Sequence, residues 1–316
     1  MTATPGSSED LWAMLEALIE DDPQKRFQNF VARNPTKGWI IASDYVIDDP
    51  TRPNDCLCFT IYPIDEQAPL AHWAEIAAAI PRDLKKTNLI DEHTIACLRD
   101  SRRLSLCFIV TKERNPNVNR ELAKLAIDGN LAIMRQWQDS EKHTDLIKRM
   151  QRLRRRADSQ SFKAYLFADM FLVMNIVTVI SYLITKFMTP RIIGWFSDRD
   201  SIISAYDKIA NDLYLINYSA ICQQRRVHHR DVQISFGNPL PDHRSPKQSW
   251  YDALIRIPDY LAGTLAPFTY REGTFVGGQE KVLDMITKVL RDAPNLLIMA
   301  LERNGDRIMP VYVSIT

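Results

Sequence analysis

Glycine is scarce in this chain, 10 residues in 316. That scarcity excludes a collagen-like repeat or a flexible low-complexity linker. No G-x-x-x-x-G-K-[ST] or G-x-G-x-x-G pattern occurs, so no loop of bare backbone is marked out to cradle nucleotide phosphates. Cysteine is sparse and odd in number, at positions 56, 58, 97, 107 and 222, and Cys56-Leu57-Cys58 is the only close pair. On a strand a C-x-C pair turns both sulfurs to one face, and no second pair exists to complete a zinc tetrahedron. Four of the five sit in apolar runs, which predicts reduced, buried thiols in a cytoplasmic protein. There is no G-x-S-x-G and no Cys–His pair at a recognisable nucleophile spacing. Met1 to Asp10 has neither a basic nor an apolar stretch, so the expectation is that no secretory signal is present.

An excess of charge of one sign is missing too. Forty Lys and Arg stand against thirty-nine Asp and Glu, a net charge of +1, which excludes a protein that coats nucleic acid by bulk charge. The balance is uneven along the chain. Residues 1–100 carry a net −8, residues 101–200 a net +8 and residues 201–316 a net +1. With 46% apolar residues the chain is long enough to bury a sizeable core.

One long apolar run is present. Met170 to Tyr182 reads MFLVMNIVTVISY and continues to Phe187, interrupted by Asn175, Thr178, Ser181 and Thr185. A spanning helix needs about 20 predominantly apolar residues. The polar interruptions favour a central buried helix over 164–187, with membrane association as the lesser reading.

Around it the pattern predicts a mixed α/β domain. Residues 38–47 and 56–63 read as strands joined by the Asp/Pro/Asn-rich turn 48–55, a hairpin. Further strands are expected at 104–111, 191–197 and 231–236, with a helix over 201–211 running into a strand at 213–222. Helices are expected at 9–33, 68–80, 91–99, 119–138, 141–156, 249–265 and 279–291, and short strands at 296–301 and 307–315. This divides the chain into an N-terminal helical extension (1–36), an α/β domain (37–268) with a helical insertion at about 119–188, and a C-terminal tail (269–316).

Several acids stand out by placement. Asp44 lies inside an apolar strand, where an unpaired charge is costly. Asp198 and Asp200 follow the apolar strand RIIGWFS, and Asp259 sits in the apolar segment Ile257-Pro258-Asp259-Tyr260-Leu261-Ala262-Gly263. Glu92 opens a short helix, with His93 beside it. Singly, each has a plain reading as an N-cap or a solvated position. Together, a carboxylate on a hairpin strand, another at the end of a later strand and a third on a late helix make the layout of a two-metal phosphodiesterase site. Two Mg²⁺ or Mn²⁺ ions roughly 3.5–4 Å apart supply a hydroxide and neutralise the leaving oxygen. Such hard cations take carboxylate oxygens.

The order of these elements, with Ser43-Asp44-Tyr45, Glu92-His93, Ser197-Asp198-Arg199-Asp200 and the late Ile257-to-Gly263 helix, resembles an RNase H-like fold. More narrowly it is similar to a widespread bacterial domain-of-unknown-function family of predicted nucleases, whose members pair an acidic first strand with a late A-D-x-x-A-G helix. The resemblance covers residues 37–268. It implies a mixed sheet flanked by helices and a metal-dependent nuclease, with Asp44, Asp198 (or Asp200) and Asp259 as ligands and Glu92 a looser match. His93 is a candidate proton shuttle. This chain has Asp44-Tyr45-Val46 where the family has D-E-S-G, and Pro258 where a small residue is usual. A degenerate copy acting as a non-catalytic interaction module, for example in defence or toxin neutralisation through a protein partner, is the alternative reading.

The basic segment 142–163 is the second feature. Lys142, Lys148, Arg149, Arg152, Arg154, Arg155, Arg156 and Lys163 face only Asp145 and Asp158. Positions 148, 152 and 155, and positions 149 and 156, share helical faces. Arg149, Arg152, Arg155 and Arg156 are therefore candidates to hold a nucleic-acid backbone. A solvated helix surface and attraction to anionic lipid are the competing readings. Trp73, Trp137, Trp195 and Trp250 read as core residues, and the cluster 225–230 with its two histidines as a polar loop.

Overall fold

The computed structural model describes residues 22–65, 69–81, 90–111, 120–137, 143–198, 201–237, 249–275, 280–304 and 307–315. In chain order it begins with α1 (Asp22–Arg33), β1 (Gly38–Val46), β2 (Asn54–Ile64), α2 (Leu70–Ala78), α3 (Glu92–Leu98) and β3 (Leu104–Thr111). Then come α4 (Arg120–Arg135), α5 (Thr144–Ala157), α6 (Ala164–Phe187), β4 (Ile192–Ser197), α7 (Ser201–Gln224) and β5 (Gln233–Phe236). The chain closes with α8 (Asp252–Leu265), the short strands β6 (Phe268–Thr269) and β7 (Thr274–Phe275), α9 (Glu280–Asp284), β8 (Leu296–Asn304) and β9 (Arg307–Tyr312). The helix of α9 continues as wider π-helical turns over Met285–Leu290.

β1 and β2 are buried almost end to end. Strands covered on both faces lose the apolar/polar alternation, which is why GWIIASDYV reads as a nearly continuous apolar run. The turn between them is made by aspartates. Asp48 takes a left-handed φ of 61°, which a short polar side chain tolerates. Its N–H donates to Asp55 Oδ1 at 2.8 Å, and Thr51 N–H donates to Asp49 Oδ1 at 2.9 Å.

Seven strands form one mixed sheet in the order β5-β4-β1-β2-β3-β8-β9. β1/β2, β2/β3 and β8/β9 are antiparallel, whereas β1/β4, β4/β5 and β3/β8 are parallel. The order β3-β2-β1-β4-β5, with only β2 reversed, is compatible with an RNase H-like fold. β8 and β9 extend the sheet beyond β3.

The chain divides into two compact units. The sheet unit lies within residues 17–113, 190–198 and 232–316, and the helical unit within 1–16, 114–189 and 199–231. The first therefore takes in α1 and the C-terminal strands, and the second takes in α7 as well as α4, α5 and α6. The part of the expected 9–33 helix that precedes Asp22 lies outside the described residues.

In the sheet unit, Ile40, Ala42, Cys58 and Tyr62 pack on one side against Trp73 of α2 and against Leu254 and Leu261 of α8. All five cysteines are free thiols and buried, and Cys56 and Cys58 face the same way with their sulfurs 3.8 Å apart. Trp73 and Trp195 are core residues, but Trp250 is half exposed and lies edge-on to Phe196.

α8 runs straight through Pro258, although proline lacks the N–H that would bond the carbonyl four residues back. Here that carbonyl belongs to Leu254, and the buried hydroxyl of Tyr62 donates to it at 2.9 Å. Sheet and helix thus share a bond that the helix cannot make alone. Burial pushes the Tyr62 hydroxyl well above its ordinary pKa, so it stays protonated and able to donate.

In the helical unit, residues 213–222 are not a strand but the second half of α7. Their aromatic and β-branched content resembles a strand, yet Tyr214 and Tyr218 are spaced by four and meet another helix. Their hydroxyls bond Ser181 at 2.6 Å and Thr185 at 2.8 Å, both on α6. Asn217 of α7 donates to Met174 Sδ at 3.2 Å, and Asn175 donates to Phe171 O at 2.6 Å. The polar residues that interrupt the apolar run are therefore satisfied inside protein. α6 is the one described helix long and apolar enough to cross a membrane, and 78% of its most apolar window is buried.

Removing the Tyr62 hydroxyl by Tyr62→Phe strands the Leu254 carbonyl and is expected to cost about 1–3 kcal/mol in urea unfolding. In a Pro258→Ala background residue 258 regains its N–H, and the same change is expected to cost less by about 1 kcal/mol. A double-mutant cycle without coupling would show that Leu254 has no need of Tyr62.

Candidate active site

β1 and β4 run parallel with Ser43 opposite Ser197, and the pairing closes where Asp198 N–H donates to Ser43 O at 3.2 Å. Asp44 and Asp198 are thus the next residues on two neighbouring strands beyond the point where their pairing ends. Side chains alternate along a strand. Ile40 and Ala42 on β1, and Phe196 on β4, belong to the core beneath α8, so Asp44 and Asp198 lie on that same side. α8 packs across β1 and β2 and brings Asp259 with it.

The three carboxylates meet at graded depth. Asp44 is buried, Asp259 half-buried and Asp198 exposed. The Asp44 carboxyl is held well above the ordinary aspartate value of 3.8. Loss of hydration on burial is the largest cause; the charges of Asp259 and then Asp198 add to it, together with a side-chain hydrogen bond to Asp259. The N–H of Tyr45 works weakly in the opposite direction. Apart from that amide, the groups that bear on Asp44 are acids.

The Asp44 and Asp259 carboxyls are thus neighbours that raise the cost of ionising Asp44, with the Asp198 carboxylate in electrostatic range. Among the described residues no group of three or more Asp, Glu, His or Cys side chains is gathered at coordinating distance. Two clefts of about 380 Å³, both bordered by Arg26, share no described lining residue with the carboxylates.

The other candidates are placed elsewhere. Asp200 lies outside the described residues. Glu92 and His93 are exposed in the first turn of α3, which Asp91 caps by accepting from Thr94 N–H at 2.6 Å. His93 Nε2 is 3.6 Å from Cys97 Sγ, and neither Glu92 nor His93 is among the groups that bear on Asp44. The arginines belong to α5 in the helical unit. Arg149 makes a two-pronged ion pair with Asp212 at 2.6 and 2.7 Å. Arg156 lies 5.1 Å from the ring centre of Tyr206. Arg152 and Arg155 are exposed.

A set of polar side chains behind the carboxylates was not singled out from the sequence. Trp195 Nε1–H donates to Ser43 Oγ at 2.9 Å, Ser43 Oγ meets the Tyr45 hydroxyl at 2.6 Å, and Ser197 Oγ–H donates to that hydroxyl at 3.2 Å. All four are buried. The available signal was the dipeptide Ser-Asp, which ends the apolar part of both strands.

Comparison with protein-family models, with curated proteins and with solved structures finds no match to this chain.

A raised pKa for Asp44 has a defined effect on stability. Between 3.8 and the raised value, the unfolded chain releases a proton that folded Asp44 retains. Stability therefore falls as pH rises across that window and the loss persists above it. Urea midpoints measured against pH are expected to show this slope in the wild type and to lose it in Asp44→Asn, which is expected to be the more stable protein at pH 7. Superimposable pH profiles would contradict the assignment.

Proposed function

We propose that this chain is a divalent-cation-dependent phosphodiesterase acting on nucleic acid, built on an RNase H-like sheet. The reading rests on one observation: a buried carboxyl on the first strand, Asp44, is faced by Asp259 of the last long helix beside the sheet, with Asp198 on the adjoining strand next to it. Placing acids together in a core is costly unless a cation or a proton offsets their charge. The donor set fits a hard cation, because its donors are carboxylate oxygens. Mg²⁺ commonly takes one or two carboxylates, keeps waters and completes its shell with substrate phosphate. Two neighbouring carboxyls with a third acid nearby suit that requirement without a closed protein cage.

On this reading Asp44 and Asp259 hold a Mg²⁺ or Mn²⁺ ion, and Asp198 serves at the solvent edge, either on a second ion or through water. The bound cation supplies an activated water and neutralises charge on the departing oxygen. The protein's part is to hold the carboxyls together and aligned, at a depth where a bound cation would take the place of the proton that burial favours on Asp44. Glu92 and His93 have no part in this proposal. Arg152 and Arg155 are among the exposed cations of the basic helix available to meet a phosphate backbone, whereas Arg149 is occupied by Asp212. A second reading, a non-catalytic interaction module, draws on the lack of a three-ligand cluster among the described residues.

The decisive measurement is Mn²⁺-dependent cleavage of a panel of DNA and RNA, single- and double-stranded. Asp259→Asn and Asp44→Asn are each expected to lower the rate at least about 100-fold while folding normally. Cleavage that survives both changes would remove the pair from the site, and binding without cleavage by the wild type would favour the second reading.

The double change Arg152→Ala/Arg155→Ala is expected to weaken nucleic-acid binding and to reduce the slope of log affinity against log salt by about 2. An unchanged slope would return this helix to the role of a solvated surface.

A further inference from the structure

The polar chain behind the carboxylates joins the two strands that carry them. Ser43 and Tyr45 flank Asp44 in sequence and, by alternation, face the opposite side of the sheet. Ser197 precedes Asp198 and is directly opposite Ser43. The Tyr45 hydroxyl touches both serines, at 2.6 and 3.2 Å. Its ring is set against Phe59 at 5.9 Å. Ser197 donates to the Tyr45 hydroxyl, which also hydrogen-bonds Ser43, where either oxygen can donate, and Ser43 accepts from Trp195 as well. The result is a connected set, Ser197, Tyr45 and Ser43, that spans β4 and β1 beside each acid.

A sheet interior filled by apolar residues would hold these strands as well. Four buried polar groups, each needing a partner, tolerate only one mutual arrangement. At the ends of strands, where backbone pairing stops at the Asp198 to Ser43 bond, such a device sets how far apart the next two side chains stand.

We propose that Tyr45 is a positioning residue: its hydroxyl, bridging Ser43 and Ser197 behind the carboxylates, fixes the separation of Asp44 and Asp198 and so sets the affinity of the site for a divalent cation. This rests on the phosphodiesterase reading of the same site. It adds a residue that touches neither cation nor substrate.

The test is calorimetric titration of Mn²⁺ into the full chain, without substrate, for wild type, Asp44→Asn, Tyr45→Phe, Ser197→Ala and Thr60→Val. Thr60 is the control, because its hydroxyl pairs with Ser105 at 2.9 Å between β2 and β3 and its loss softens the sheet without touching the polar chain. Tyr45→Phe and Ser197→Ala are each expected to raise the Mn²⁺ dissociation constant about tenfold, and Thr60→Val to leave it unchanged. If cleavage is observed, both variants are expected to need more Mn²⁺ but to approach the wild-type rate at saturation. Unchanged affinity in Tyr45→Phe and Ser197→Ala overturns the positioning role and leaves the site standing, as does an equal loss in Thr60→Val. Should Tyr45→Phe fail to fold, Ser197→Ala decides alone. If wild type binds no Mn²⁺, or Asp44→Asn binds it as well as wild type does, the site reading itself fails and this inference with it.

Discussion

Acid crowding is the constraint around which the sheet unit is arranged. Asp44 is carried into the interior by a strand whose neighbours are apolar, and it meets Asp259 there rather than an arginine. Electrostatics alone would push such groups apart or keep one protonated. They stay together because each is fixed by something stronger than the repulsion: Asp44 by a central strand bonded on both edges, Asp259 by a helix whose apolar face is fully used in packing. Asp198 follows from the first of these, since parallel pairing of β4 with β1 ends one residue short of both acids.

The two units handle polar groups in contrasting ways. In the helical unit the hydroxyls and amides along α6 find partners on α7 or on their own backbone, so an apolar helix accommodates polar residues at little cost. In the sheet unit some buried polar residues pair locally, as Thr60 does with Ser105, but one connected set lies where the pairing of β1 with β4 stops, with carboxylates on the other face. Buried polar residues spread through a fold are commonly structural; a concentration at strand ends of an α/β sheet coincides with the position where such folds bind ligands.

Much of this was legible in the sequence, for physical reasons. The β1–β2 hairpin announced itself by its aspartate-rich turn between two apolar runs, and the long helix 164–187 by the length of its apolar run and the polar residues spaced along it. Asp44, Asp198 and Asp259 were noticeable because charge in apolar surroundings is costly whatever the fold. What could not be read depended on contacts distant in the chain. Residues 213–222 look like a strand until Tyr214 and Tyr218 meet α6. Arg149 looks like a free cation until Asp212, 63 residues away, closes on it. Glu92 and His93 fall near acids in sequence order, yet α3 spends its first turn on its own cap. Pro258 suggests a break in α8 only while the Tyr62 hydroxyl is out of view.

That hydroxyl has a geometric consequence. A helix lying on a sheet can roll about its own axis at modest cost when only apolar contacts oppose it, because one greasy ridge replaces another. The Leu254 carbonyl accepts from Tyr62, and Pro258 supplies no N–H four residues on to compete for it. The bond therefore acts as an index mark that fixes the azimuth of α8 relative to β2. Asp259 lies five residues further on, rather more than one turn, so its bearing toward Asp44 is set by the same mark. A proline that would ordinarily weaken a helix here gives it an orientation.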